Sequence, residues 1–200
     1  MFSGVENGSR RRFVGTTAAT GVALSGAALL AARAARSQPP SAAQDVKILN
    51  FALLLEHAQA AFYREALDRG RLRGEAREFA ETVGANEEEH IALLRDALGG
   101  RARPRPTFFR FDDALRTERR FVRSALILED AGVAAYNGQA ANLTREALLP
   151  ALRIVSVEGR HAAWIRDIAG EAPAPLAADP GLSATVVTAR LRRAGLLRTR

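Results

Sequence analysis

The chain has 200 residues, of which 48% are hydrophobic and 26% charged, with a formal net charge of +7 and no cysteine. That suits one packed domain plus a tail or targeting segment, and it excludes disulfides, thiolate metal sites and cysteine nucleophiles. The basic excess sits at the ends: residues 1–43 carry five arginines against Glu6 alone, and the last eleven residues carry five more without an acid. The stretch between is slightly acidic, so no nucleic-acid partner is expected.

The chain opens on an address. "SRRRFVG" (Ser9, Arg10, Arg11, Arg12, Phe13) precedes "VGTTAATGVALSGAALLAA", a charge-free run rich in small residues. It resembles the twin-arginine export signal, which implies passage through the twin-arginine machinery to the periplasm, cell envelope or exterior. Small-x-small cleavage signals end at Ala34 and at Ala43. A retained membrane anchor is the other reading, since about 20 residues can span a bilayer. The expected division is 1–43 signal peptide, 44–170 bundle, and 171–200 loop with a short basic helix.

Alanine, leucine and arginine dominate, and no alternating strand pattern stands out, so the expected class is all-α. A first helix is predicted from Asp45, as N-cap, to Gly70, with a stripe of Leu49, Ala52, Leu55, Glu56, Gln59, Phe62, Tyr63 and Ala66. A second is predicted over 75–98, with Phe79, Val83, Glu87, His90, Leu94 and Leu98 on one face. "RARPRPTFFRF" reads as extended. A third helix is predicted from Asp112 to about Ala141 through Val122, Ala125, Glu129, Val133 and Tyr136. A fourth is predicted from Thr144 to Ala169 through Leu152, Val155, Glu158, His161 or Ala162, and Ile165, with Pro150 in an early turn. After a Pro/Gly loop, Ser183 caps a short basic helix.

These helices repeat. "LLLEHAQAAFY" (53–63) and "LILEDAGVAAY" (126–136) share six of eleven residues, and "EEEHIALLRDALG" (87–99) matches "EGRHAAWIRDIAG" (158–170) at Glu, His, Ala, Arg, Asp and Gly. The glutamates lie 31 residues apart in one half and 29 in the other, so each half is a hairpin of the same size. Two such hairpins make a four-helix bundle whose second and third helices run parallel, which demands a crossover as long as the bundle. About a dozen extended residues reach roughly 40 Å, enough to serve.

Residues three apart on a helix share a face, so Glu87 with His90, and Glu158 with His161, each aim at one spot. Glu56 and Glu129 fall on the same inward stripe. Four buried carboxylates need compensation, because an unbalanced buried charge costs several kcal/mol. Two divalent cations supply it; protonated carboxyls or inward arginines are alternatives. Mixed carboxylate and imidazole donors suit iron or manganese, and zinc also.

One glutamate from each of two helices plus Glu-x-x-His from each of the others resembles the ferritin-like di-iron and di-manganese carboxylate superfamily. More narrowly, "LEDAGVAAYNGQA" and "VEGRHAAWIRD" are similar to a bacterial ferritin-like domain family that includes plant desiccation-related proteins. The resemblance implies a cofactor of two iron or manganese ions, Glu56 and Glu129 as terminal ligands, Glu87 and Glu158 as bridges, and His90 and His161 as one imidazole per metal. Tyr63 and Tyr136, seven residues beyond their glutamates, are hydrogen-bond donors to the ligands, redox-active phenols, or plain core aromatics. It also implies reaction with O₂ or peroxide, as a ferroxidase or peroxide-reactive oxidoreductase in stress protection. A homo-oligomer is compatible with it.

Two other classes stay open: a metal-free, stress-related scaffold on the same fold, and a membrane-surface protein using the basic C-terminal helix. His57, about 100° from Glu56, is placed outside the ligand set. Glu88, Glu89 and Asp130 read as solvated, Trp164 as core or interface, and the Arg-Asp pairs of "LRD" and "IRD" as ion pairs near helix ends.

Overall fold

The structure, a computed structural model, describes residues 39–106 and 109–197. The described residues form α1 (Ala42–Asp68), α2 (Gly74–Leu98), α3 (Glu118–Gln139), α4 (Arg145–Ile168) and α5 (Ala184–Arg193), with no strand among them. None of these helices is long and apolar enough to cross a membrane. The twin-arginine segment and the cleavage signal at Ala34 lie outside the described residues, whereas the 43/44 boundary falls in the first turn of α1.

Side-chain contacts between distant segments fix the directions of the helices. Asn50, near the start of α1, donates to the carbonyl of Arg101 at 3.0 Å and accepts from the backbone N–H of Arg103 at 2.7 Å, so the crossover begins beside the start of α1. It ends at the opposite pole. There Arg71, in the α1–α2 turn, donates to the carbonyl of Arg116 at 2.7 Å, and the N–H of Arg73 donates to Glu118 at 2.8 Å. Helices α2 and α3 therefore start at the same end and run parallel, as two hairpins joined by a long crossover require.

Two predicted boundaries move. Helix α1 is capped by Ser41, whose hydroxyl accepts from the N–H of Gln44, and not by Asp45. The Asp45 carboxylate instead holds the start of α4, accepting from the N–H and hydroxyl of Thr144 at 2.9 and 2.6 Å. This ties the two hairpins together at that pole. Helix α3 begins at Glu118 rather than Asp112, because Thr117 caps it while the preceding turn tucks Phe111 and Leu115 into the core.

On α4, Leu152 leaves the predicted stripe and is 48% exposed, and Ala151 and Ile154 take its place inside. The inward face runs 151, 154, 158, 161, 165, and Leu152 lies well off that line. On α3, Val122 is half-buried and Phe121 fills the core instead.

The interior has an aromatic end and an aliphatic end. Phe62, Tyr63, Phe79, Phe111 and Phe121 cluster toward the α1–α2 turn, with Phe62 and Phe121 stacked at 5.5 Å and Tyr63 edge-on to Phe79 at 5.8 Å. Leu49, Leu53, Leu94, Leu98 and Ile154 fill the other pole. Each fully buried Phe or Leu contributes about 1.5–3 kcal/mol relative to exposure. Trp164 is half-buried, packing edge-on to Phe79 and donating its indole N–H to Glu75 at 2.8 Å.

Helix α5 packs on α3 through Val187 and Leu191. The segment leading to it lies so close to α3 that a Cβ on Gly138 would collide with the backbone of Leu182, whose N–H donates to the carbonyl of Ala134 at 2.8 Å. Val187 and Leu191 of α5 are thus spent on the bundle, while Arg190, Arg192 and Arg193 stay exposed.

Candidate metal centre

Between the two poles, four helices each bring acid or imidazole to one place. Glu56 comes from α1, Glu87 and His90 from α2, Glu129 from α3, and Glu158 and His161 from α4. The four carboxylates are at most 1% exposed and both imidazoles 4%. The helical i, i+3 spacing that puts each Glu-x-x-His pair on one face survives in the fold.

The six residues form two overlapping quartets. Glu56, Glu87, His90 and Glu158 each offer a ligand atom within 4.8 Å of the others, and so do Glu87, Glu129, Glu158 and His161. Glu87 and Glu158 belong to both, the placement expected of carboxylates shared by two cations. Nδ1 of His90 lies 3.1 Å from oxygens of both Glu87 and Glu158 and 3.3 Å from Glu56. Nδ1 of His161 lies 3.3 Å from both Glu87 and Glu129.

The tyrosines pair across the hairpins. Tyr63 of α1 donates its hydroxyl proton to Oε1 of Glu129 on α3, and Tyr136 of α3 donates to Oε1 of Glu56 on α1 at 2.6 Å. Each phenol therefore holds the lone glutamate of the other half rather than its own. Both are pushed well above the usual tyrosine value, first by burial and then by the neighbouring glutamates, so both remain neutral donors.

Two contributors were not singled out for the site by the sequence. Gln59 stands on the predicted stripe of α1, and its amide N–H₂ donates to Glu129 at 3.3 Å and Glu158 at 3.4 Å. Its counterpart in the repeat is Gly132, where a Cβ would stand 2.6 Å from Oε2 of Glu158. A polar residue on an otherwise apolar stripe, opposite a glycine in the other copy, was the available signal. Asn86, whose amide lies 2.9 Å from Nε2 of His161, gave none beyond adjoining Glu87.

A scan against family models matches residues 44–171 to the ferritin-like domain. The chain belongs to the ferritin-like domain family. No curated protein matches it. The ferritin-like bundle and its buried glutamate and histidine clusters are compatible with metal ions.

Whether the donors of this ferritin-like chain fit a cation can be judged from their partners. Oε1 of Glu87, Oε2 of Glu129, Oε1 of Glu158 and Nδ1 of His161 are buried without a hydrogen-bond partner among the described residues. Orphaned buried polar atoms cost about 1–3 kcal/mol each, and here they face one another. Carboxylate and imidazole donors of this kind fit divalent iron or manganese, with zinc also suited.

Protons stand in for cations in the metal-free cluster. Burial, then repulsion from Glu158 and Glu56, raises Glu87 well above the usual glutamate value. Burial, then Glu56, raises Glu158 to about 7. Burial disfavours charge on His90, but the Glu158 and Glu56 carboxylates beside its Nδ1 overcome it and lift the imidazole to about 10. Glu56 goes the other way: burial pushes it up, and hydrogen bonds from His90, Glu87 and Tyr136 bring it below its usual value.

The residues set apart from the cluster mostly stay apart. Glu88 and Glu89 are exposed, and Glu88 pairs with Arg64 at 3.3 Å. His57 belongs to neither quartet; it is 3% exposed beneath the crossover, and burial and then Arg105 lower its basicity. Asp130 is not solvated as expected. It is half-buried, its carboxyl raised by burial, and it pairs with Arg166 across α3 and α4, so the "IRD" arginine bonds between helices and not with its own Asp167.

Proposed function

We propose that this chain holds two iron or manganese ions in its core and reacts with dioxygen or peroxide. The carrying observation is the pair of quartets sharing Glu87 and Glu158, with unpartnered donor atoms turned inward. In this reading Glu56 and Glu129 are terminal ligands, Glu87 and Glu158 bridge, and His90 and His161 supply one imidazole to each ion. When bound, the pair supplies two electrons at one place to an oxygen substrate.

The chain's own part is positioning and exclusion. Tyr63 and Tyr136 fix one oxygen of each terminal glutamate and leave the other for the ion. The aromatic cluster on one side and the leucines on the other shut out bulk water. Oxidation of Fe(II) and removal of peroxide both suit such a site, in protection against oxidative or drying stress of the kind the desiccation-related resemblance suggests.

Export by the twin-arginine route completes the proposal, because that route carries folded proteins with their metals already loaded. Cleavage after Ala34 is the better supported of the two signals: it keeps the Ser41 cap, whereas cleavage after Ala43 would cut the first turn of α1. The mass of the exported protein distinguishes them.

A second reading is a metal-free ferritin-like scaffold. It is favoured by the ability of the cluster to balance its own charge with protons on Glu87, Glu158 and His90. The deciding experiment measures metal content after expression with iron and manganese, then loads Fe(II) anaerobically and admits oxygen or peroxide. Near-stoichiometric binding of two ions, lost in Glu87→Ala and Glu158→Ala, with an oxygen-dependent absorbance change, supports the redox centre. Binding that is absent, or unchanged in both variants, rejects it.

A further inference from the structure

The ligands obey the internal repeat, but the groups behind them do not. Glu129 is held on Oε1 by both Tyr63 and Gln59, leaving Oε2 free and turned into the cluster. Its counterpart Glu56 has only the Tyr136 phenol on Oε1, because the residue matching Gln59 is Gly132. His161 is held on Nε2 by Asn86 at 2.9 Å, and its Nδ1, which makes no hydrogen bond, faces Glu87 and Glu129 at 3.3 Å. The residue matching Asn86 is Val157, which has nothing to offer His90.

The unpartnered atoms carry the same asymmetry. Of the four ligand atoms without a hydrogen bond, Oε1 of Glu87 and Oε1 of Glu158 belong to the carboxylates shared by both quartets, while Oε2 of Glu129 and Nδ1 of His161 belong to one quartet alone, and Glu56 and His90 contribute none. In the other quartet Nδ1 of His90 is hydrogen-bonded to Oε2 of Glu56 at 3.3 Å and to Oε2 of Glu87 at 3.1 Å, whereas Nδ1 of His161 stands 3.3 Å from Glu87 and Glu129 without a hydrogen bond to either. A cation entering there must first displace those bonds.

We propose that the two metal positions are unequal: the Glu129/His161 position fills first and tightly, and the Glu56/His90 position fills second and exchanges. This rests on the metal-binding reading above and deepens it, assigning Gln59 and Asn86 as positioning residues that create the inequality. At His161 a cation on Nδ1 leaves the ring proton on Nε2, and the Asn86 amide turns its oxygen to accept it, fixing the tautomer. At Glu129 the Gln59 amide holds the carboxylate in a binding orientation before the ion arrives. Removing such supporting groups typically weakens metal affinity about 10–100-fold. One tight and one exchangeable ion is the arrangement suited to a centre that keeps one metal and passes another through.

The test is an anaerobic Co(II) titration of the metal-free full chain, read by visible absorption and by calorimetry, with no turnover involved. Two steps separated by about tenfold or more are expected. Glu129→Gln should abolish the tighter step, and Glu56→Gln should abolish the weaker one while moving the tighter one by less than about threefold, well inside that separation. Gln59→Leu with Asn86→Val should bring the two steps within about threefold by weakening the first. That pair leaves every ligand in place, and it carries the test should Glu129→Gln not fold. Two equal steps, loss of the tighter step in Glu56→Gln, or unchanged spacing in the pair overturns the inequality while leaving metal binding standing. No Co(II) uptake by the unmodified chain overturns both.

Discussion

The two hairpins agree where a cation would be gripped and differ almost everywhere else. Helices α1 and α3 share Glu and Tyr seven residues apart, and α2 and α4 share Glu-x-x-His, but Gln59 faces Gly132, Asn86 matches Val157, and Leu93 matches Trp164. The covers differ too: the crossover shields α1, held at its start by Asn50, whereas α5 shields α3, brought close by Gly138. A repeat kept at its six inward polar residues but free to drift around them is what a shared ligand task produces, because packing alone does not require ionisable groups in a core.

The strongest way to break this picture is to strike a residue common to both quartets. Glu87→Gln keeps the shape and a donor toward Glu56 but removes a shared carboxylate, so binding of both ions should be lost. A ligand present at a thousand times its Kd stabilises by about 4 kcal/mol, and that increment should vanish from the melting curve. The metal-free variant should melt higher than the metal-free parent at neutral pH, since folding of the parent must take up a proton on Glu87 from a solvent in which a free glutamate is ionised.

The same melting curves have a pH signature. Glu158, raised to about 7, and His90, raised to about 10, both bind protons more tightly when folded. The stability lent by Glu158 is full below its ordinary value of 4.5 and lost as pH climbs through about 7. That lent by His90 is full below 6.5 and lost through about 10. The metal-free protein should therefore melt progressively lower from about pH 5 to about pH 10. With Mn(II) present the trend should reverse over its lower part, because ligands must shed protons to bind. Parallel curves with and without metal would separate the cluster from any cation.

A single atom added on one side only sharpens the comparison. Gly132→Ala brings a Cβ to 2.6 Å from Oε2 of Glu158 and 3.5 Å from the Gln59 amide. In an ordinary helix that change stabilises by about 1 kcal/mol. Here it should weaken Co(II) binding by about tenfold or more, the loss typical when groups around a ligand are disturbed. The corresponding space on the other half already holds Gln59, so the glycine is required by the centre and not by the helix. Calorimetry showing unchanged affinity would mean the carboxylate can yield without cost.

Much of this was legible before the structure. Phe79, Val83, Glu87, His90, Leu94 and Leu98 are spaced for one face and are all buried, and Glu56 and Glu129 fall inside as their stripes require. What escaped depends on contacts between segments far apart in sequence. Asp45 has the chemistry of an N-cap but serves a helix 99 residues away, and Thr117 displaces Asp112 as a cap because Phe111 and Leu115 have apolar places to fill. Asp130 looked solvated because its partner Arg166 lies on another helix. Periodicity says which face a side chain occupies; it does not say what it meets there.

The tyrosines make the finest test, since spacing put both near the centre without saying which carboxylate each holds. Tyr63→Phe removes one donor from Glu129, but Gln59 still bonds the same oxygen. Tyr136→Phe removes the phenol from Glu56, which has no matching amide behind it. A hydrogen bond to a charged group contributes about 1.5–3 kcal/mol, and a second donor should make up part of that. Tyr136→Phe should accordingly weaken its metal step about tenfold, and Tyr63→Phe by only a few-fold, each variant moving a different step of the Co(II) titration. If each tyrosine moved the step of its own hairpin, the cross-pairing would be wrong. Equal losses at the expected steps would show that Gln59 lends Glu129 nothing.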